Sequence, residues 1–129
     1  MAQIKIYGLR EHLEGRKAEL SLVLHRCAME ALGLPKEKRF HRFFCLEPED
    51  FTFPDDRSSA YTILEISMFE GRSAETKRLL IGKIFESFEQ ELGIAPVDVE
   101  ITIFETPKAN WGIRGLPGDQ LKLSYKIEK

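Results

Sequence analysis

Glu91-Leu92-Gly93-Ile94-Ala95-Pro96 repeats a turn met sixty residues earlier, Ala31-Leu32-Gly33-Leu34-Pro35. In each copy a glycine follows the last apolar residue of a helical stripe, and a proline then blocks continuation. Upstream of Gly33, Leu20, Val23, Leu24, Cys27 and Ala31 recur at three- and four-residue steps, which predicts a helix over 15–32. Upstream of Gly93, Ile81, Ile84, Phe85, Phe88 and Leu92 form a second stripe. Ser73 is placed to cap that helix, with Glu75 in its first turn where the helix dipole favours an acid.

Alternating segments flank both helices. Ile4 and Ile6 share a face in residues 3–8, with Gly8 predicted to end the strand. A second strand is predicted over about 39–46. A third runs over 60–68 with Thr62, Leu64, Ile66 and Met68 on one face, and a fourth carries Val99, Ile101 and Ile103. Each half therefore reads strand, helix, strand, with halves of about 1–59 and 60–129 in one 129-residue domain. The order βαββαβ has two common solutions: the ferredoxin-like split βαβ fold, and two parallel βαβ units side by side. Periodicity alone favours neither. Phe40, Phe44 and Leu46 oppose Phe43 and Cys45 on the second strand, and Leu64, Ile66 and Met68 oppose Tyr61 and Ile63 on the third. Both sheet faces thus read as apolar, and two helices cover only one, so a partner subunit is expected on the other. The alternating tail Leu121–Ile127 reads as a further strand, suited to a neighbour's sheet edge.

Composition narrows the function classes. Formal net charge is -2, without the basic excess of a nucleic-acid binder. No apolar run is long enough to span a bilayer, and charge interrupts the first ten residues where a signal peptide needs an apolar core. The expectation is a cytoplasmic protein with neither nucleic-acid nor membrane partner. Cys27 and Cys45 make no disulfide framework. His12, His25 and His41 show no metal spacing; His41 and Cys45 share a strand face but stand roughly 13 Å apart. No phosphate loop or nucleophile elbow is present, so no cofactor is expected.

Two segments carry a family resemblance. One is Gly71-Arg72-Ser73-Ala74-Glu75-Thr76-Lys77 at the entrance to the second helix. The other runs from Leu92-Gly93-Ile94-Ala95-Pro96 to Asn110-Trp111-Gly112-Ile113-Arg114-Gly115. Together they resemble the tautomerase superfamily, which has the macrophage migration inhibitory factor-like fold, and in particular its malonate semialdehyde decarboxylase-like branch. The resemblance implies an α/β (α+β) fold of tandem βαβ-βαβ units, with a four-stranded mixed sheet and two helices on one face. It implies a homotrimer, and keto–enol tautomerisation or related chemistry of small oxo or enol carboxylic acids. Family members use an amino-terminal proline amine as base, arginines to hold the substrate carboxylate, and aromatic side chains as pocket walls.

The motif carries over in part. The family's proline falls at Ala2, or at Gln3 in a shifted alignment, and the first proline is Pro35. In this the chain resembles uncharacterised bacterial members of that branch, which also lack the proline. Of the branch's Arg-x-Arg-Ser, Arg72 and Ser73 remain while Glu70 reverses the first charge; Lys38 replaces an acid, Trp111 is kept, and Ile113 replaces an aromatic. The expected site therefore joins Ala2 and Arg72 as catalytic groups. Arg72, Trp111, Ile113, Arg114 and Lys38 are expected to bind a small carboxylate ligand. Removal of Met1 would expose the Ala2 amine. An α-amino group titrates at roughly 7.7–8.0, and burial beside a cation lowers it toward neutrality. The competing readings are structural: a plain strand start for Ala2, surface ion pairs for Arg72, core filling for Trp111 and a solvated loop for Arg114. At the level of the whole chain they are a non-catalytic trimeric small-anion-binding protein or a ferredoxin-like regulatory domain.

Overall fold

A computed structural model describes residues 2–122. In chain order it has β1 (Ala2–Leu9), α1 (Arg10–Leu13), α2 (Lys17–Leu32), β2 (Phe40–Leu46), β3 (Thr62–Phe69), α3 (Ala74–Leu92) and β4 (Val99–Thr106). A two-residue ladder follows, β5 (Gly112–Ile113) with β6 (Leu116–Pro117). The main sheet has the order β2-β1-β3-β4. β1 and β2 are parallel, β3 and β4 are parallel, and β1 meets β3 antiparallel. In a split βαβ unit another strand separates the parallel pair. Here both parallel pairs are adjacent, which selects the tandem arrangement over the ferredoxin-like one.

Helix ends follow from the sequence. Gly33 and Gly93 both adopt the left-handed conformation at the C-caps of α2 and α3, at φ 69° and 67°. The Ser73 hydroxyl accepts from the Thr76 amide at the N-cap of α3. Leu20, Val23, Leu24, Cys27 and Ala31 of α2 are all buried. On α3 the buried stripe is Leu80, Ile84, Phe88 and Leu92; Ile81 and Phe85 are half-buried, so Leu80 takes the place read for Ile81. These residues close over Ile4, Ile6, Leu64, Ile66 and Met68 in one apolar cluster.

Four expectations change. β1 continues past Gly8 to Leu9, and α1 follows, because Leu13 folds back over the glycine. A Cβ on Gly8 would lie 3.0–3.3 Å from the Leu13 side chain. Tyr61 precedes β3 and packs, 5% exposed, against Phe51 and Phe53 at one sheet end. The sheet face away from the helices is mixed, not apolar: Phe40, Phe44 and Phe104 are exposed there, but Lys5 stands opposite Glu65 in the strand register, and Tyr7 donates to Glu65 at 2.7 Å. One row across that face, Arg42–Lys5–Glu65–Thr102, is wholly polar, and only the register of the four strands brings those residues together. Lastly, the short strands after Trp111 were not foreseen, and the expected tail strand lies outside the described residues from 123 onward. Among the described residues no helix is long and apolar enough to cross a membrane.

Candidate functional site

The antiparallel β1–β3 pair decides where the site residues meet. Because β1 runs opposite to β3, the start of β1 lies beside the end of β3, with Ala2 opposite Met68. Met68 in turn faces Glu105 near the end of β4, and Gln3 faces Phe40 at the start of β2. Four strand ends thus form one rim about 14 Å across, at roughly 4.8 Å per strand. Ala2 is 3% exposed on the helix side of this rim. Arg72 leaves the same rim in the link from β3 to α3 and is 5% exposed, next to the Ser73 cap. A guanidinium and the first-turn amides of a helix there offer an anion two kinds of donor. Lys38, half-buried, lies two residues before β2 in a turn closed by its amide to the Pro35 carbonyl at 3.0 Å.

Trp111 reaches the rim from the loop that follows β4. Its indole N–H donates to the Thr106 hydroxyl, and its ring meets Phe69 edge-on, with centroids 5.1 Å apart. The Gly118 amide donates to the Trp111 carbonyl at 2.8 Å, and a Cβ on Gly118 would collide with the Lys108 carbonyl. The tryptophan is therefore held by a loop folded tightly on itself. Ile113 and Arg114 sit beyond it on the β5–β6 hairpin. Arg114 occupies the left-handed region at φ 50°, followed by Gly115 at φ 84°, the pair of conformations that a two-residue hairpin turn demands. Arg114 is exposed, with no hydrogen bond to another described residue. The structure thus gathers Ala2, Arg72, Trp111 and Lys38 at one sheet end, with Ile113 and Arg114 on an adjoining hairpin.

Sequence reasoning missed several neighbours. Glu105 shares the Ala2–Met68 row and pairs with Lys77 at 2.7 Å. Lys77 belongs to the quoted helix entrance, whereas Glu105 and Thr106 had no motif to mark them. A shallow cleft of about 340 Å³ beside the rim is lined by Gln3, Arg39, Phe40, His41 and Arg42. His41 Nδ1 is hydrogen-bonded to the Ser21 hydroxyl at 2.7 Å, and its Nε2 is buried without a hydrogen-bond partner among the described residues. Burial, the neighbouring His25 and Arg39 lower its pKa to about 4, so the ring is neutral in ordinary buffers. The opposite sheet end holds another cleft, of about 370 Å³, lined by residues that include Leu9, Arg10, Glu14, Leu46 and Pro48. There Asp98 accepts from the Ser58 amide and hydroxyl, and Thr62 lies within 3.2 Å of His12. Among the described residues no group of three His, Cys, Asp or Glu side chains is placed to hold a metal ion.

With this geometry in place, known proteins give a consistent comparison. A model described as "tautomerase enzyme" matches residues 38–114, more than half of the chain. A 2-hydroxymuconate tautomerase of Comamonas testosteroni is 37% identical over 57 residues, which is 44% of this chain and 90% of that protein. A second, from Pseudomonas putida, is 35% identical over 57 residues, again 90% of its length. Among solved structures, a malonate semialdehyde decarboxylase superposes with TM-score 0.80 at 23% identity, covering 92% of this chain and 99% of that one. Another, inhibited by 3-bromopropiolate, gives 0.77 at 26% identity, covering 85% and 87%. A fused 4-OT solved as an asymmetric trimer gives 0.78 at 21% identity, covering 91% and 96%.

Proposed function

The chain belongs to the tautomerase enzyme family, and from that premise we propose that it moves a proton on a small oxo or enol carboxylic acid at the sheet end holding Ala2 and Arg72. One observation carries the reading: the antiparallel β1–β3 pair sets the start of β1 beside the link that bears buried Arg72. In the proposed reaction Met1 is removed and the Ala2 amine is the proton carrier. Its lone pair takes the enol O–H proton, and the ammonium returns a proton to carbon, which converts enol to keto acid with no net change in composition. Arg72 and Lys38 hold the carboxylate, Arg114 gives a further anion contact, and Trp111 with Ile113 walls the pocket. A primary amine replaces the family's proline in this scheme. Small carboxylates suit the site because both Arg72 and the α3 entrance favour an anion; a related decarboxylase was solved inhibited by 3-bromopropiolate. The working form in this reading is a cytoplasmic homotrimer, as a fused 4-OT of the same fold was solved as a trimer.

Ultraviolet absorbance of enol substrates such as 2-hydroxymuconate and phenylenolpyruvate tests the proposal, using protein whose amino terminus has been verified by mass. Turnover should appear, and Arg72→Ala should lower it by about a hundredfold, the usual effect of removing one charged transition-state donor. Equal rates for the two proteins remove Arg72 from the site. No turnover, but a rise in Tm with added oxo acid, replaces the enzyme reading with a binding one.

A further inference from the structure

Lys77 closes the Gly71–Lys77 segment, and neither the capping of α3 nor the proposed reaction accounts for it. Its ammonium pairs with the Glu105 carboxylate at 2.7 Å, and the two side chains are only 28% and 24% exposed. A pair this sheltered is screened less by water and salt than one on the open surface. It joins the two segments that bear the candidate site. Arg72 lies in the link from β3 to α3, and that link is tied twice to the end of β4. At its start the Glu70 amide donates to the Thr106 carbonyl at 2.9 Å. Past its end Lys77 grips Glu105, the residue before Thr106. The Thr106 hydroxyl in turn accepts the Trp111 indole N–H. Glu105 and Thr106 are thus the junction through which Arg72 and Trp111 are set relative to each other.

The internal repeat shows that the fold does not require this pair. On β2, opposite Gly8, Cys45 holds the place that Glu105 holds on β4 opposite Met68. Lys17 opens α2 sixty residues before Lys77, and a cysteine at that strand position offers it no carboxylate. α2 packs on the sheet all the same, with Leu20, Val23 and Leu24 buried. The pair is present in the half that bears Arg72 and Trp111 and is absent from the other. We propose, resting on the proton-transfer reading above, that Lys77 and Glu105 are positioning residues that hold Arg72 and Trp111, borne on separate segments, in one fixed relation across the site. With the pair intact, the carboxylate-holding cation and the aromatic wall meet the substrate in register. With either partner gone, the link that carries Arg72 keeps one tie to β4 in place of two, and Thr106 loses the anchor beside it.

Lys77→Met and Glu105→Gln in the full chain test this. Methionine keeps a long unbranched stem at nearly the same helix propensity, and removing a cation near a helix N-terminus does not oppose the dipole, so α3 itself should persist. Far-ultraviolet circular dichroism checks that each variant folds. Trp111 is the single tryptophan, and in both variants its emission should move to longer wavelength as the Thr106 hydroxyl loses its fixed place. kcat/KM for an enol acid should fall at least about tenfold, since about 1 Å of misplacement can cost a hundredfold in rate. Lys77→Glu with Glu105→Lys should return both readings toward wild type, because the pair re-forms with its signs exchanged. Unmoved emission, or an unchanged kcat/KM in a protein that turns over, would overturn the positioning role and leave a salt bridge that serves stability alone. A double exchange as impaired as either single change would overturn it too. If wild type shows no turnover, a shifted emission that the exchange reverses would uphold the hold on Trp111 and overturn the proton-transfer reading by itself.

Discussion

His41 is a buried base held away from its ordinary protonation. Its pKa falls from 6.5 to about 4 because burial strips water from the ring, and His25 and Arg39 repel a proton there. Between those two values the unfolded chain binds a proton that the native chain does not. Stability therefore rises with pH across this window and is lost as pH falls through it. After allowance for partial exposure, the effect is about 2 kcal/mol. Urea melts of wild type and His41→Gln at pH 7 and pH 4 should show the wild-type advantage shrinking by about that amount at the lower pH. His12 is shifted the same way by burial and Arg16, but it is common to both proteins and cancels. Equal differences at both pH values would show that the His41 environment is wetter than its packing indicates. None of this was legible in the sequence. Single residues stood out there only when a motif marked them, as with Arg72 and Trp111. The partners His25 and Ser21 lie 16 and 20 positions from His41, and only the fold brings them together.

The elements were more legible because each is written in local pattern. The stripe of α2, the caps at Gly33 and Gly93, and the Ser73 N-cap were all readable, since they depend on residues three to four apart. Elements set by distant packing were not: α1 exists because Leu13 covers Gly8, and the turn around Trp111 exists because its carbonyl meets the Gly118 amide. That loop gives an element-scale prediction. Gly118→Ala puts a methyl well inside contact distance of the Lys108 carbonyl and 3.2 Å from the Trp111 Cβ. Backbone cannot retreat as a flexible side chain can, so the loop must open, at a cost of about 1–3 kcal/mol. Trp111 is the single tryptophan, so its emission reports the change directly. Gly118→Ala should shift emission to longer wavelength as the indole N–H leaves Thr106 for water. An unmoved spectrum with unchanged stability would mean that the loop already samples an open form.

At the scale of the molecule, the question is whether the two βαβ units unfold together. Sequence shows them as a repeat, and repetition alone is compatible with two independent units. Packing argues otherwise. Leu64, fully buried, faces Ile6 of the first unit on one side and Ile101 of its own on the other. α2 and α3 also share one apolar cluster with both central strands, so neither unit closes a core of its own. Leu64→Ala removes three carbons from that shared centre and should cost about 2–5 kcal/mol. Calorimetry should show one transition for wild type and one, displaced downward, for the variant, because losing either unit exposes the apolar face of the other. In a ring of copies the midpoint should also climb with protein concentration, as mass action stabilises whatever associates only when folded. Two transitions in Leu64→Ala, with the upper one unmoved, would mean that the β1–β3 seam is a boundary between separate folding units. A single transition insensitive to concentration would keep the shared core and remove the subunit contacts from its stability.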